Sequence, residues 1–87
     1  MPYAERMTFS LDQLRGLDAV ARTANVTRAA AELFVSQPTL SRQLAALETE
    51  VGAPLLDRGP GGVTLTAAGE ALVPIARRML ADAEAVR

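Results

Sequence analysis

The stretch VTRAAAELFVSQPTLSRQLAALETEV, residues 26–51, decides the fold of this 87-residue chain. Its pattern predicts two helices that meet at a tight turn near Val35, with the second helix beginning near Ser36. On a helix that turns by about 100° per residue, four large apolar residues of the second helix fall within about 40° of one another. They predict a face that packs against the rest of the domain: Leu40, Leu44, Leu47 and Val51.

The opposite face of this second helix carries no large apolar residue. It presents hydrogen-bonding groups near its N-terminal end and one guanidinium, on Gln37, Pro38, Thr39, Ser41 and Arg42. A helix that lies in the major groove of DNA needs such groups at its beginning. Together with the shorter helix before it, from Thr27 to about Phe34, the pattern predicts a helix-turn-helix over about residues 26–45.

The segment before this motif predicts one more helix. Residues 1–8 show no periodicity and are expected to be a disordered lead-in. Ser10 and Gln13 have the spacing of a capping box, and Phe9 is placed to pack against Leu14. The helix that they begin has a stripe expected to face the core, made of Leu11, Leu14, Leu17, Val20, Ala21 and Ala24.

The junction between the first and second helices has its own signals. Asn25 is expected to end the first helix in the left-handed conformation, and Thr27 to cap the second helix. Ala29, Ala30 and Leu33 are expected to face inward, because helices that cross at a short turn need small side chains where their backbones approach.

A turn-rich segment follows the third helix. Pro38 fits the first turn of that helix, Gly52 fits its end, and Pro54 prevents it from continuing. The next residues predict two short strands around a tip at Gly59–Gly62, namely residues 55–58 and 63–65. A two-stranded hairpin after such a helix is the wing of a winged helix-turn-helix.

The last helix is predicted to begin after Thr66 and to run to Arg87. It is apolar over too much of its circumference for a lone surface helix, with one stripe at heptad-like spacing and a second beside it. The first stripe comprises Leu72, Ile75, Met79 and Val86, and the second Val73, Ala76, Leu80 and Ala83. One stripe can cover the domain while the other meets a second copy, or both can be core. Pro74 is expected to kink the helix or to remove one backbone hydrogen bond.

The charge counts against a nucleic-acid partner at first sight, because the formal net charge is −1. Its distribution weakens this objection. Between Arg22 and Leu47 three arginines oppose one acid, Glu32, which is a local excess of +2. All nine cations are arginines, which suits bidentate contacts with phosphate or guanine.

The composition excludes several kinds of chemistry. The chain has no Cys and no His, which removes disulfides, most zinc sites and imidazole acid–base catalysis. We therefore expect a protein that is not an enzyme and that needs no metal or cofactor. No apolar run is long enough to span a bilayer and no leader follows Met1, which predicts a cytoplasmic protein without a membrane partner.

Four motifs occur in one order. VTRAAAEL begins at Val26, VSQPTLSRQLAALE at Val35 and VTLTAAGEAL at Val63, and Glu50–Arg58 has the form E-x-G-x-P-L-L-x-R. From Phe9 to Arg87 the chain is similar to the N-terminal DNA-binding domain of LysR-type transcriptional regulators of bacteria. The resemblance implies a mainly α fold: a winged helix-turn-helix with a three-helix core and a two-stranded wing, followed by a long linker helix that dimerises. The winged domain would span residues 9–65 and the linker helix residues 66–87.

The resemblance also implies roles for individual residues. Gln37 would bridge an adenine edge, Arg42 a guanine or a phosphate, and Pro38 would touch a thymine methyl group. The full set of base contacts would be Gln37, Pro38, Thr39, Ser41 and Arg42. Contacts to the DNA backbone would come from Thr27, Arg28, Ser36 and Arg58. Homodimer contacts would come from Leu72, Ile75, Met79, Leu80, Ala83 and Val86.

The chain departs from the family pattern in two respects. Many members carry a second basic residue in the wing, three positions after the one that matches Arg58, where this chain has Gly61. The wing is therefore expected to touch only the DNA backbone or to contribute little. Family members are also several times longer and have a C-terminal effector-binding domain. The resemblance implies that this domain is missing here, with any small-molecule effector, and that the full-length protein forms tetramers.

Three classes of function stay open on the sequence alone. The first is sequence-specific binding of double-stranded DNA, as a dimer or higher oligomer on a palindromic operator. The second is a helix-turn-helix used for protein contact, and the third is a small enzyme. Single residues have plainer interpretations too. Gln37 and Ser41 could be ordinary solvated helix residues, and Arg42 could pair with Glu48 or another acid on the surface. Arg58 could stabilise the wing, and Arg22 and Arg28 could be solvated charges.

Overall fold

The structure, a computed structural model, describes residues 10–86, so the expected lead-in over residues 1–8 and the contact of Phe9 lie outside the described residues, as does Arg87. This part of the chain forms four helices and one two-stranded antiparallel sheet. They are α1 (Leu11–Thr23), α2 (Val26–Glu32), α3 (Gln37–Val51), β1 (Leu56–Gly59), β2 (Gly62–Leu65) and α4 (Ala67–Ala85). The mainly α winged helix-turn-helix is confirmed.

Helix α1 is the central element and packs against α2, α3 and α4. The predicted capping box begins it, since Ser10 N donates to Gln13 Oε1 at 2.8 Å and Gln13 N donates to Ser10 Oγ at 3.2 Å. The middle of the predicted stripe is fully buried, at Leu14, Leu17 and Val20. Its two ends are exposed, because Leu11 is the first residue of α1 and Ala24 lies beyond the last.

The junction between α1 and α2 differs from the prediction. Ala24, not Asn25, adopts the left-handed conformation, with φ of 55°. Asn25 is extended and caps α2 instead of Thr27, because its side chain accepts the backbone N–H of Arg28 at 2.9 Å. Helix α2 ends at Glu32, two residues before the predicted end, and Phe34 lies in the turn with φ of 59°.

Helix α3 begins as predicted. Ser36 is its cap and accepts Thr39 N at 3.2 Å, Pro38 lies in the first turn, and Gly52 ends the helix with φ of 84°. Three of the four predicted inward residues are buried, namely Leu40, Leu44 and Leu47. Val51 is 41% exposed, because it is the last residue of α3 and lies where the helix ends.

The wing pairs Leu56 with Leu65 and Gly59 with Gly62, and its tip is at residues 60–61. The base of the wing is tied to α3, since the backbone N–H groups of Leu55 and Leu56 donate to Glu48 Oε2 at 2.7 and 3.3 Å. A second tie joins it to the end of α1, where Val63 N donates to the Ala24 carbonyl at 3.4 Å. These bonds fix the position of the wing beside α3.

Thr66 caps helix α4 as predicted, since its hydroxyl accepts Gly69 N at 3.1 Å. Val73 and Ala76 are buried against the core, and the helix continues through Pro74. Among residues 10–86, no helix is long and apolar enough to cross a membrane.

Candidate nucleic-acid interface

The side chains expected to contact bases lie together at the beginning of α3. Gln37, Pro38 and Arg42 are exposed, and Thr39 and Ser41 are half-buried. We refer to these five residues as the α3 surface. Because Leu40 and Leu44 anchor the opposite side of the helix in the core, the α3 surface faces outward on a fixed support.

Hydrogen bonds order part of the α3 surface. The Ser36 hydroxyl donates to Thr39 Oγ1 at 2.8 Å, and Arg42 Nη2 donates to the same oxygen at 3.3 Å. Thr39 Oγ1 therefore accepts two hydrogen bonds, which leaves its own hydrogen free to donate outward. The Ser36 hydroxyl, which is expected to contact the DNA backbone, donates to Thr39 Oγ1 and accepts the backbone N–H of Thr39 as the cap of α3.

A groove of about 250 Å³ lies beside the α3 surface, where α2, α3 and the wing meet. Its walls include Asn25, Thr27, Gln37 and Arg58. The Thr27 hydroxyl donates to Gln37 Oε1 at 3.2 Å and so connects the beginning of α2 with the α3 surface. The fold thus brings the predicted base contact Gln37 close to two predicted backbone contacts, one from α2 and one from the wing.

The arginines fall into two groups. Carboxylates pair with three of them: Arg15 with Asp12, Arg22 with Asp18 and Glu32, and Arg77 with Asp18. Within residues 10–86, the others form no ion pair: Arg28, Arg42, Arg58 and Arg78. Arg42 belongs to the α3 surface, Arg58 lines the groove beside it, and Arg28 follows the groove residue Thr27 on α2. Three acids, Asp12, Asp18 and Glu32, thus pair with arginines outside the α3 surface, whereas Arg42 and Arg58 keep unpaired charges at the α3 surface and the groove.

The cluster around Arg22 explains why that arginine does not add to the cationic side. Its Nε donates to Asp18 at 3.2 Å, and its two Nη groups donate to both carboxylate oxygens of Glu32. The hydrogen bonds that Arg22 donates to these carboxylates raise the pKa of Arg22 and, at Glu32, lower the pKa of the carboxyl group. Partial burial raises the pKa of Asp18, but hydrogen bonds from Arg77 and Arg22 outweigh it and hold that pKa below its ordinary value.

Two plainer interpretations from the sequence are wrong. Glu48 is engaged by the backbone of Leu55 and Leu56, so it does not pair with Arg42. Arg22 is paired with two carboxylates and is not a solvated charge. Sequence reasoning also missed Asn25 as a wall of the groove. Its preference for helix caps could have indicated this place, because a cap of α2 must lie at the end of that helix.

The residues predicted for a dimer lie along α4 in two environments. Leu72 and Leu80 are half-buried and pack against the core of their own domain, and Ala83 is half-buried as well. Ile75, Met79 and Val86 are 55%, 37% and 85% exposed, and they fall within about 40° of one another around the helix. They form one apolar face, called here the α4 face, that no element within residues 10–86 covers.

Comparison with known proteins identifies the family. Residues 11–70 match the sequence profile of the bacterial regulatory helix-turn-helix proteins of the lysR family. The chain belongs to this family. The LysR match spans α1, the helix-turn-helix, the wing and the beginning of α4, so it includes the whole α3 surface and the groove.

Individual LysR-family relatives agree with this. The HTH-type transcriptional regulator TcbR of Pseudomonas sp. (strain P51) is 48% identical over 68 residues, which are 78% of this chain and 23% of TcbR. The chain thus spans about a quarter of that relative. The CbnR_DBD–DNA complex has a similar structure, with a TM-score of 0.85, 44% identity and 88% of each chain covered. The BenM_DBD/catB site 1 DNA complex has a TM-score of 0.84 and 36% identity, with 88% of this chain and 86% of that chain covered.

Proposed function

We propose that this chain binds double-stranded DNA sequence-specifically, as the DNA-binding module of a bacterial LysR-type transcriptional regulator. The α3 surface enters the major groove, and Gln37, Pro38, Thr39, Ser41 and Arg42 contact base edges. Arg28 and Arg58 hold phosphates on either side, and the groove beside the α3 surface receives the DNA backbone.

The observation that carries this proposal is the placement of the unpaired arginines. Arg42 belongs to the α3 surface, Arg58 on the wing lines the groove beside it, and Arg28 directly follows the groove residue Thr27 on α2. A protein-contact surface would not need unpaired cations around a polar centre, whereas a phosphate backbone on both sides of a groove does. The DNA-bound structures of two relatives support the same choice.

We further propose that two copies pair through their α4 faces and present two α3 surfaces to one side of the duplex. The operator would then be palindromic, with half-sites about one or two helical turns apart. The full-length protein would be a cytoplasmic regulator associated with the nucleoid, would assemble further into tetramers and would bind its effector in a C-terminal domain.

Salt dependence tests DNA binding directly. We would titrate a labelled duplex with the chain by fluorescence anisotropy over a range of salt concentrations. Each phosphate contact contributes about 0.9 to the slope of log affinity against log salt concentration, so Arg58→Ala is expected to lower the slope by about 1 per bound copy. Arg78→Ala removes an unpaired charge from α4, outside the α3 surface, and is the matched control.

Affinity that does not change with salt would contradict the proposal and would favour an apolar protein contact. Equal slopes for Arg58→Ala and the wild-type chain would show that the wing makes no phosphate contact through Arg58, which leaves α2 and the α3 surface as the contacts.

A further inference from the structure

We propose that Thr27 is a specificity-determining positioning residue, which turns the Gln37 amide so that Gln37 reads a hydrogen-bond acceptor on the base. This inference rests on the proposed function and names the base class that one residue of the α3 surface selects. Its basis is the hydrogen bond from Thr27 Oγ1 to Gln37 Oε1, 3.2 Å long, across the groove between α2 and α3.

The bond fixes which end of the amide faces outward. A glutamine amide has an acceptor oxygen at one end and an NH₂ group with two donors at the other. Thr27 lies at the oxygen end, on α2, so the NH₂ end is left to face a bound duplex. A bidentate contact with adenine needs both ends of the amide at the base edge. The bond to Thr27 occupies one of the two lone pairs of the oxygen and holds that oxygen toward α2, so it works against the adenine contact expected from the sequence.

An amide that presents only donors distinguishes the four bases. In the major groove guanine offers the acceptors N7 and O6, and thymine offers O4. Cytosine offers only its N4 donor, and adenine has its N6 donor beside N7. Gln37 oriented by Thr27 is thus expected to favour guanine or thymine, the keto bases, over adenine and cytosine at the base that it contacts.

The same bond changes the role of Thr27 itself. A hydroxyl group has one hydrogen, and that of Thr27 is donated to Gln37, so it cannot be donated to a phosphate at the same time. A phosphate contact would act equally on every DNA sequence, whereas a positioning residue acts on the base preference. The two roles can therefore be separated experimentally.

Thr27 is exposed, so its replacement leaves the core intact. Thr27→Val keeps the shape of the side chain and removes the hydroxyl, and Thr27→Ser keeps the hydroxyl as the matched control. Each variant would select duplexes from a randomised pool at fixed salt, and the retained pools would be sequenced. Gln37→Ala, selected in parallel, identifies the base pair that Gln37 contacts, because the preference there is lost.

The expected result is a keto preference at that base pair for the wild-type chain and for Thr27→Ser. In Thr27→Val this preference should fall about five- to tenfold while the other positions keep theirs. An unchanged preference in Thr27→Val, or an equal loss of affinity for all sequences, would overturn the proposal, and the second result would make Thr27 a phosphate contact.

A measurement without DNA separates this proposal from the proposed function. The side-chain amide resonances of Gln37 in the free chain should shift in Thr27→Val and stay in place in Thr27→Ser. Identical resonances in Thr27→Val would overturn the positioning role even if DNA binding is sequence-specific. If the resonances shift but the wild-type chain selects no sequence, the pairing stands and both the base preference and the proposed function fail.

Discussion

At the scale of single residues, Arg42 has the most direct role in the proposed interface. Its guanidinium is oriented by Thr39 at 3.3 Å and pairs with no carboxylate within residues 10–86. Arg42→Ala is expected to weaken binding to the best operator by about 1–3 kcal/mol and to relax the preference at one base pair. Titrations against matched and mismatched duplexes measure both effects.

Arg42→Lys is the comparison for Arg42→Ala, because lysine keeps the positive charge of Arg42 but cannot form its bidentate hydrogen bonds. If Arg42 reads a base, Arg42→Lys should lose the preference almost as fully as Arg42→Ala. Wild-type behaviour of Arg42→Lys, with a uniform loss in Arg42→Ala, would instead make Arg42 a phosphate contact.

At Gly69 the structure predicts the opposite of what helix propensity predicts for the stability of a Gly→Ala variant. It is buried in α4, and a Cβ atom there would overlap the backbone carbonyl of Leu55, which already accepts Thr66 N at 3.0 Å. In an open helix Gly→Ala stabilises by about 1 kcal/mol, but this overlap involves backbone that cannot turn away. We expect Gly69→Ala to destabilise the domain by about 1–3 kcal/mol in urea unfolding.

Gly16 is the comparison for this variant. A Cβ atom there would lie 2.8 Å from Leu40 Cδ1, which is the end of a flexible side chain. Gly16→Ala should therefore cost less than Gly69→Ala. A Gly69→Ala chain that is as stable as the wild-type chain would show that α4 is free to move away from Leu55.

At the scale of elements, Asp18 joins two helices that are far apart in the sequence. Asp18, on α1, accepts Arg77 Nε from α4 at 2.7 Å and Arg22 Nε at 3.2 Å. Its carboxylate is about one fifth exposed, so the pair is partly screened by solvent. Asp18→Asn is expected to lower the free energy of unfolding at neutral pH by about 1–2 kcal/mol.

The same carboxylate predicts a pH dependence. Because the folded-state pKa of Asp18 lies below the ordinary value that an aspartate keeps in the unfolded chain, its contribution to stability is complete above the unfolded pKa and is lost as the pH falls through the lower folded pKa. The wild-type chain should therefore lose stability in this acid range more steeply than Asp18→Asn, by thermal unfolding. Asp12→Asn, which removes the exposed pair with Arg15, is the control. Parallel acid profiles for the wild-type chain and Asp18→Asn would contradict the assignment.

The elements that the sequence predicts well are those with signals inside one helical turn. The Ser10 capping box, the Thr66 cap and the Gly52 terminus each depend on residues three or four positions apart, and all three are found. The error at Asn25 arose because two cap-forming residues, Asn25 and Thr27, stand close together. The sequence alone does not decide which of them the chain uses.

What the sequence could not predict depends on tertiary neighbours. Helical periodicity predicts the face of the helix on which Leu11 and Val51 lie. It does not predict whether another element covers the end of that helix, and both residues are exposed. Asp18 and Arg77 are 59 residues apart, and only packing of α4 on α1 brings them together. For the candidate site, the residues of the α3 surface were predicted, whereas the bond between Thr27 and Gln37 and the division of the arginines needed the fold.

At the scale of the whole molecule, the α4 face predicts association. Ile75→Glu places a charge in this face at a residue that is half-exposed in the single chain, so the fold should persist while the dimer dissociates. Sedimentation at tens of micromolar should show a dimer for the wild-type chain and a monomer for Ile75→Glu. Ala81→Glu, at an exposed position on another side of α4, is the matched control. A wild-type chain that is monomeric at this concentration would contradict pairing through α4.

The measurement that tests the central claim most directly is selection of randomised duplexes by the wild-type chain at moderate salt, followed by sequencing of the retained pool. We predict enrichment of an inverted repeat whose half-sites lie about one or two helical turns apart. That result would establish base reading and the paired arrangement together. Retention without enrichment of any sequence would contradict sequence-specific recognition by the α3 surface, and no retention even at low salt would contradict DNA binding itself.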